Sequence, residues 1–206
     1  EGWAREARDY REQADGEFDV SYELSPRTTY DLFLPEGGMP DRGAIALFIH
    51  GGYWQALDKS YFSHMARGAN AHGLPVVVTN YTLCPEARVG DIVEEMRRLV
   101  AHLWDRFRKP VVAYGHSAGG HLTAALLATD WRGRDLPQRL VPAGLAISGL
   151  FDLQPLIGTS INEKLGLDRK EAIDASPVTL PAPVGTHLTA SVGGGESNEF
   201  IRQSRV

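Results

Sequence analysis

The chain has 206 residues, 43% of them apolar, with 26 acidic against 21 basic side chains and a formal net charge of -5. That length and apolar share suffice for one α/β domain with a sizeable core, and the acidic balance without any basic tract excludes a nucleic-acid footprint. No run approaches the roughly 18 consecutive apolar residues that would span a membrane, no signal-peptide pattern opens the chain, and a single cysteine, Cys84, rules out an intrachain disulfide and favours the cytoplasm.

Residues 1–20 are charged, with Trp3, Tyr10 and Phe18 as scattered anchors, and read as an N-terminal arm or cap. Thr28 to Leu34 alternates as a strand does and stops at Pro35, before a Gly-Gly-Met-Pro-Asp turn at 37–41. An apolar strand follows at 45–49, then a helix over 59–72 and a buried-type strand at 75–79. From Val89 to Phe107, apolar residues at Val89, Ile92, Val93, Met96, Leu99, Val100 and Leu103 recur at spacings of three and four, which predicts a long amphipathic helix. It feeds a strand at 110–114 and a helix over 118–129. Further strands are predicted at 144–148 and 187–192, separated by a Pro- and Gly-punctuated excursion over 151–183 that is long for a simple crossover. Two readings of that excursion stand: it lines the substrate crevice with Ile157, Ile161, Leu165 and Leu167, or it is a packing insertion. The whole of 1–206 reads as one α/β domain, a mostly parallel, doubly wound sheet with helices on both faces.

The most informative stretch is Tyr114-Gly115-His116-Ser117-Ala118-Gly119-Gly120, directly after an apolar strand. It has the form of a nucleophile elbow, a serine lifted onto a tight strand-to-helix turn whose flanking glycines let the helix pass close to the strand. A second stretch, His50-Gly51-Gly52-Tyr53-Trp54, also begins where an apolar strand stops. Ligand crevices of open parallel sheets lie beyond the carboxyl ends of the strands, so both stretches are expected at one crevice. The chemistry divides between them: Ser117 Oγ attacks a carbonyl, and backbone N–H groups of Ala118 and of Gly51, Gly52 and Tyr53 face the developing oxyanion. Trp54 and Tyr81, with His116, are candidates for the substrate pocket.

An acid that orients the base belongs at a late strand end, and Glu196, on the loop Val192-Gly193-Gly194-Gly195-Glu196-Ser197, is the choice; Asp152 competes. No histidine follows Glu196. The seven histidines, His50, His64, His72, His102, His116, His121 and His187, all precede it and fall on loop backbones, helices or the wrong strand end. The base is therefore expected past Val206, in a C-terminally truncated chain; an intact but catalytically dead binding protein is the alternative. Cys84 has no histidine or metal-ligand partner at a useful spacing and reads as structural. Neither His-Glu-x-x-His nor clustered Asp/His spacing appears, so no metal is called for.

Five stretches carry a family resemblance: Tyr30-Asp31-Leu32-Phe33-Leu34-Pro35, His50-Gly51-Gly52-Tyr53-Trp54, Asn80-Tyr81-Thr82-Leu83-Cys84-Pro85-Glu86, Gly115-His116-Ser117-Ala118-Gly119-Gly120-His121-Leu122 and Gly193-Gly194-Gly195-Glu196-Ser197. With them the chain resembles the α/β-hydrolases that join hormone-sensitive-lipase-like carboxylesterases with kynurenine formamidases (arylformamidases). Tyr53-Trp54 in place of a third glycine, Cys84 in the Leu-x-Pro-Glu loop, and Glu-Ser-x-Glu-Phe after the glycine loop lean toward the formamidases. The resemblance implies hydrolysis of N-formyl-L-kynurenine to kynurenine and formate in tryptophan breakdown, without cofactor. It places the nucleophile on Ser117 and the acid on Glu196, where the group more often has aspartate, and its histidine well beyond the acid. A short-chain carboxylesterase is the runner-up. The expected partner is a small formamide or ester, with no nucleic acid and no membrane, and a homodimer is left open.

Overall fold

A computed structural model describes residues 2–181 and 184–206. Residue 1 of the predicted arm and residues 182 and 183, which close the predicted excursion, lie outside the described residues. Strands β1 (Gly16–Ser21), β2 (Thr29–Phe33), β3 (Ile45–Ile49), β4 (Val76–Thr79), β5 (Val111–His116), β6 (Ala143–Ile147) and β7 (His187–Ser191) form one sheet in the order β1-β2-β4-β3-β5-β6-β7. The first two pairings are antiparallel and the rest parallel. The helices are α1 (Gly2–Gln13), α2 (Arg67–Ala71), α3 (Val89–Phe107), α4 (Ala118–Leu127), α5 (Asn162–Leu165), α6 (Arg169–Asp174) and α7 (Asn198–Gln203). Among the described residues, no helix is long and apolar enough to cross a membrane.

The two sides of β3 show why it reads as an unbroken apolar run. Side chains alternate across a strand. Ile45, Leu47 and Ile49 join the core under α3 and α4, while Ala46 and Phe48 join a second cluster with Phe33, Phe62, Val76 and Val78. Burial on both faces removes the polar alternation a half-exposed strand would show. In α3 every residue of the predicted stripe is buried, and the helix runs over 89–107 as expected.

Departures from expectation have local causes. The predicted arm is α1 followed by an extra strand, β1, paired to β2. Its anchors close the second cluster: Tyr10 and Phe18 pack on Phe33, and Trp3 on Phe62. The helix predicted over 59–72 is two 3₁₀ turns, Lys59–Tyr61 and Ser63–Ala66, running into the short α2. Side chains take over the backbone there, because Asp58 caps the Ser60 N–H and Asn80 Oδ1 accepts the Lys59 N–H at 2.7 Å. In the excursion, Leu165 and Leu167 are buried in the main core, so they are not available as crevice lining; Ile161 packs against that core and Ile157 is exposed. A recess of about 460 Å³ does lie between the excursion and β7, bordered by Phe151, Val178, Leu180 and Leu188, but its described lining contains nothing of the Ser117 turn. Strand β7 is exposed along its whole length.

One charged group is fully buried in the sheet. Asp31, on β2, accepts hydrogen bonds from Lys59 Nζ at 2.6 Å, from Arg11 Nε at 3.3 Å and from the Asp19 N–H at 2.8 Å. Lys59 Nζ also reaches Asp19 at 2.6 Å. This cluster ties α1, β1 and the Lys59 turn to β2.

Candidate active site

Strand β5 ends at His116 and α4 begins at Ala118, leaving Ser117 alone on the turn with φ 56° and ψ −117°. A non-glycine residue there is strained, and such strain persists only where the surroundings over-determine it. They do so here by backbone contact. A Cβ on Gly119 would lie 1.9 Å from the Ile49 carbonyl oxygen, and one on Gly115 would lie 2.4 Å from the Gly119 carbonyl. The Ser117 N–H donates to the Ile147 carbonyl at 2.8 Å. Gly119→Ala is therefore expected to prevent folding rather than tune activity, because the clash is with backbone that cannot rotate away. A soluble Gly119→Ala protein with unaltered circular dichroism and melting temperature would contradict this packing.

Strand β3 lies beside β5 with Ile49 opposite Gly115, which brings the His50–Trp54 loop to the serine. A Cβ on Gly51 would come within 3.1 Å of Ser117 Cβ. Gly52, Tyr53 and Trp54 all have positive φ, at 110°, 49° and 56°. Such a run turns successive N–H groups to one side, a concavity suited to an anion. The N–H groups of Gly51, Gly52, Tyr53 and Ala118 have no acceptor among the described residues. The positive end of the α4 dipole adds to the same field.

Aromatic rings hold this loop from beneath. The His50 ring stacks on Tyr81 at 4.4 Å and on Phe62 at 5.8 Å, and its Nδ1–H donates to the Gly51 carbonyl at 2.7 Å. Burial pushes the His50 pKa down to about 4, so the ring is neutral at pH 7. The Tyr81 hydroxyl donates to the His50 carbonyl at 3.0 Å. Trp54 stands edge-on to His121 at 4.9 Å, and His121, its pKa also lowered by burial to about 4, bonds through Nε2 to the Ala175 carbonyl at 2.7 Å. The expectation that Trp54 and Tyr81 line the pocket is thereby corrected: both are 0% exposed and brace the loop backbone. Their sequence position beside the motifs could not distinguish a ring above the loop from one below it. Tyr53 is half-buried and His116 exposed.

Glu196 lies beyond β7, on the loop predicted for it. Its Oε1 accepts from the Gly193 N–H at 3.0 Å and from Ser148 Oγ at 2.5 Å. The Ser148 bond first, and then the Gly193 bond, hold the carboxyl below its ordinary range. Asp152 is engaged elsewhere, bound by Arg202 at 3.1 Å, while Gln203 accepts from its N–H and donates to its carbonyl. Among the described residues no histidine hydrogen-bonds Ser117 Oγ; His187 is exposed at the start of β7. Ser148 escaped the sequence reading, and only its place at the end of a strand neighbouring β5 could have marked it. Cys84 is buried, with its thiol pushed up to about 11 by desolvation, which fits a structural thiol.

The profile of the alpha/beta hydrolase fold family matches residues 46–184, which span both the glycine loop and the serine turn. The chain belongs to the α/β-hydrolase family. Among curated relatives it is 32% identical over 193 residues to kynurenine formamidase of Danio rerio, covering 90% of this chain and 65% of that one. It is likewise 32% identical over 181 residues to kynurenine formamidase of Salmo salar, covering 84% and 61%. The chain thus spans a little under two thirds of the length of these relatives. Of solved structures, a candidate thioesterase from Silicibacter sp. superposes with a TM-score of 0.90 at 39% identity, over 99% of this chain and 77% of that one. A bacterial esterase of the hormone-sensitive lipase family superposes at 0.74 with 21% identity, over 97% and 72%, a likeness of fold.

Proposed function

We propose that this α/β-hydrolase cleaves a small amide or ester through an acyl-enzyme on Ser117, with N-formyl-L-kynurenine as the substrate. The observation that carries the reading is the strained Ser117 turn set against a glycine loop with unpaired N–H groups. Ser117 Oγ attacks the formyl carbon as a general base takes its proton, and the oxyanion meets the N–H groups of Gly52, Tyr53 and Ala118. Collapse of the tetrahedral species breaks the C–N bond, releases kynurenine as the free amine and leaves a formyl ester on Ser117. Water hydrolyses that ester to formate. Glu196 orients the imidazole that shuttles these protons.

Similarity to the two fish kynurenine formamidases supports the formamide. The burial of Trp54 and Tyr81 favours the second reading, a short-chain carboxylesterase, because of the three rings expected to recognise an aromatic substrate it leaves Tyr53 alone with exposed surface. The deciding measurement compares kcat/KM for N-formyl-L-kynurenine with that for p-nitrophenyl acetate and butyrate on the full-length protein. The formamide is expected to lead by about two- to tenfold, the factor that a ring contact of about 0.5–1.5 kcal/mol supplies. A formamide value below every simple ester would transfer the assignment to the carboxylesterase. Absence of labelling by a serine-directed phosphonate would leave a binding protein.

A further inference from the structure

The two-residue step Ile147-Ser148 joins the serine turn to the acid loop. On one side the Ile147 carbonyl receives the Ser117 N–H at 2.8 Å. On the other, the Ser148 N–H donates to the Ser191 carbonyl at 2.7 Å, which fixes the end of β7 just before the loop that carries Glu196. Ser148 Oγ then donates directly to Glu196 Oε1. Ser148 is a buried residue with φ 49°. A serine in this left-handed conformation is disfavoured where glycine would sit without cost. The backbone there asks for glycine, yet the hydroxyl is present and is spent on the carboxylate.

We infer that Ser148 is a positioning residue: its hydroxyl clamps one carboxylate oxygen of Glu196, leaving the other to face the base, and locks the acid loop in register with the serine turn. Glu196 follows a run of three glycines and is itself half-buried, so among the described residues its side chain is held chiefly by the Ser148 bond. The Gly193 N–H binds the same oxygen, so both fixed bonds converge on Oε1. The titratable side chain near this carboxylate from the serine turn is His116, whose interaction with Glu196 favours the ionised carboxylate in the same sense as the Ser148 bond. The inference rests on the proposed acyl-enzyme reading and adds to it a residue outside the catalytic set.

The test uses the full-length protein with Ser148→Gly and Ser148→Ala. Glycine removes the hydroxyl and relieves the left-handed backbone, so this variant should melt at or above the temperature of the parent; alanine removes the hydroxyl and keeps the strain. Both are expected to lower kcat about five- to tenfold with KM unchanged, as for loss of one charge-assisted hydrogen bond partly replaced by water. A ¹³C titration of the Glu196 carboxyl, which needs no turnover, should show its midpoint rising in both. If Ser148→Gly leaves kcat and the Glu196 midpoint unchanged while Ser117→Ala abolishes turnover, the positioning role is overturned and the acyl-enzyme stands. If Ser117→Ala retains turnover, the acyl-enzyme reading falls by itself, and the titration still decides whether Ser148 holds the carboxylate.

Discussion

Replacing Ser117 by alanine in the full-length protein is expected to lower kcat on esters and formamides by about 10⁴–10⁶-fold, with KM changed little. The size follows from the division of labour around the turn. The substitution deletes the only atom that bonds to the substrate carbon but leaves the loop N–H groups and the α4 terminus in place. Those donors still lower the barrier for direct attack by water, so a residual rate above the uncatalysed one should remain. Alanine also keeps the Cβ and its strain at φ 56°, so the fold is tested on equal terms. Steady-state kinetics with a phosphonate-labelling control checks it. Retention of more than about 1% of kcat in Ser117→Ala would remove the acyl-enzyme from consideration, since general-base and nucleophilic assistance together exceed that factor.

A second large effect on stability lies outside the serine turn. Asp31→Ala should cost about 3–5 kcal/mol, because it strands the Lys59 ammonium inside the protein with only the exposed Asp19 as counterion. Lys59→Met alone should be similarly harmful, leaving Asp31 with Arg11 at the longer 3.3 Å. The double variant should cost clearly less than the sum of the two, since neither charge is then left without the other. Urea denaturation of the four proteins measures all three quantities. A loss below about 1 kcal/mol for Asp31→Ala would mean that water reaches the cluster and that the arm is held by Tyr10 and Phe18 on Phe33 instead. The Lys59 turn follows the glycine loop directly, so loosening it should also raise the mobility of residues 51–57.

The sequence was most legible where a single physical pattern dominated. Strands β3 and β4 are buried on both faces and show as apolar runs, and α3 shows as an unbroken stripe. Gly115 and Gly119 marked the serine turn because only a missing Cβ permits Ile49 and α4 to approach so closely. What stayed hidden depended on contacts distant in the chain. β1 is a strand because β2 offers it an edge, and the 59–66 turns replace a helix because Asn80 captures the Lys59 N–H. Trp54 and Tyr81 lie beneath the glycine loop, Trp54 edge-on to His121 and Tyr81 stacked on His50, which no spacing announces. Ser148 became visible only once β6 was seen between the serine turn and β7.

The left-handed residues gathered at this crevice, Tyr53, Trp54, Ser117 and Ser148, have a bearing on engineering. Each carries a conformational cost of order 1 kcal/mol or more that glycine would remove. Selection for heat resistance alone will therefore draw glycine into positions 53, 117 and 148, each time trading a working group for a relaxed backbone, while the packed ring of Trp54 resists the same exchange. Libraries aimed at a sturdier enzyme need an activity screen applied in the same round, since thermal shift by itself would reward the loss of chemistry.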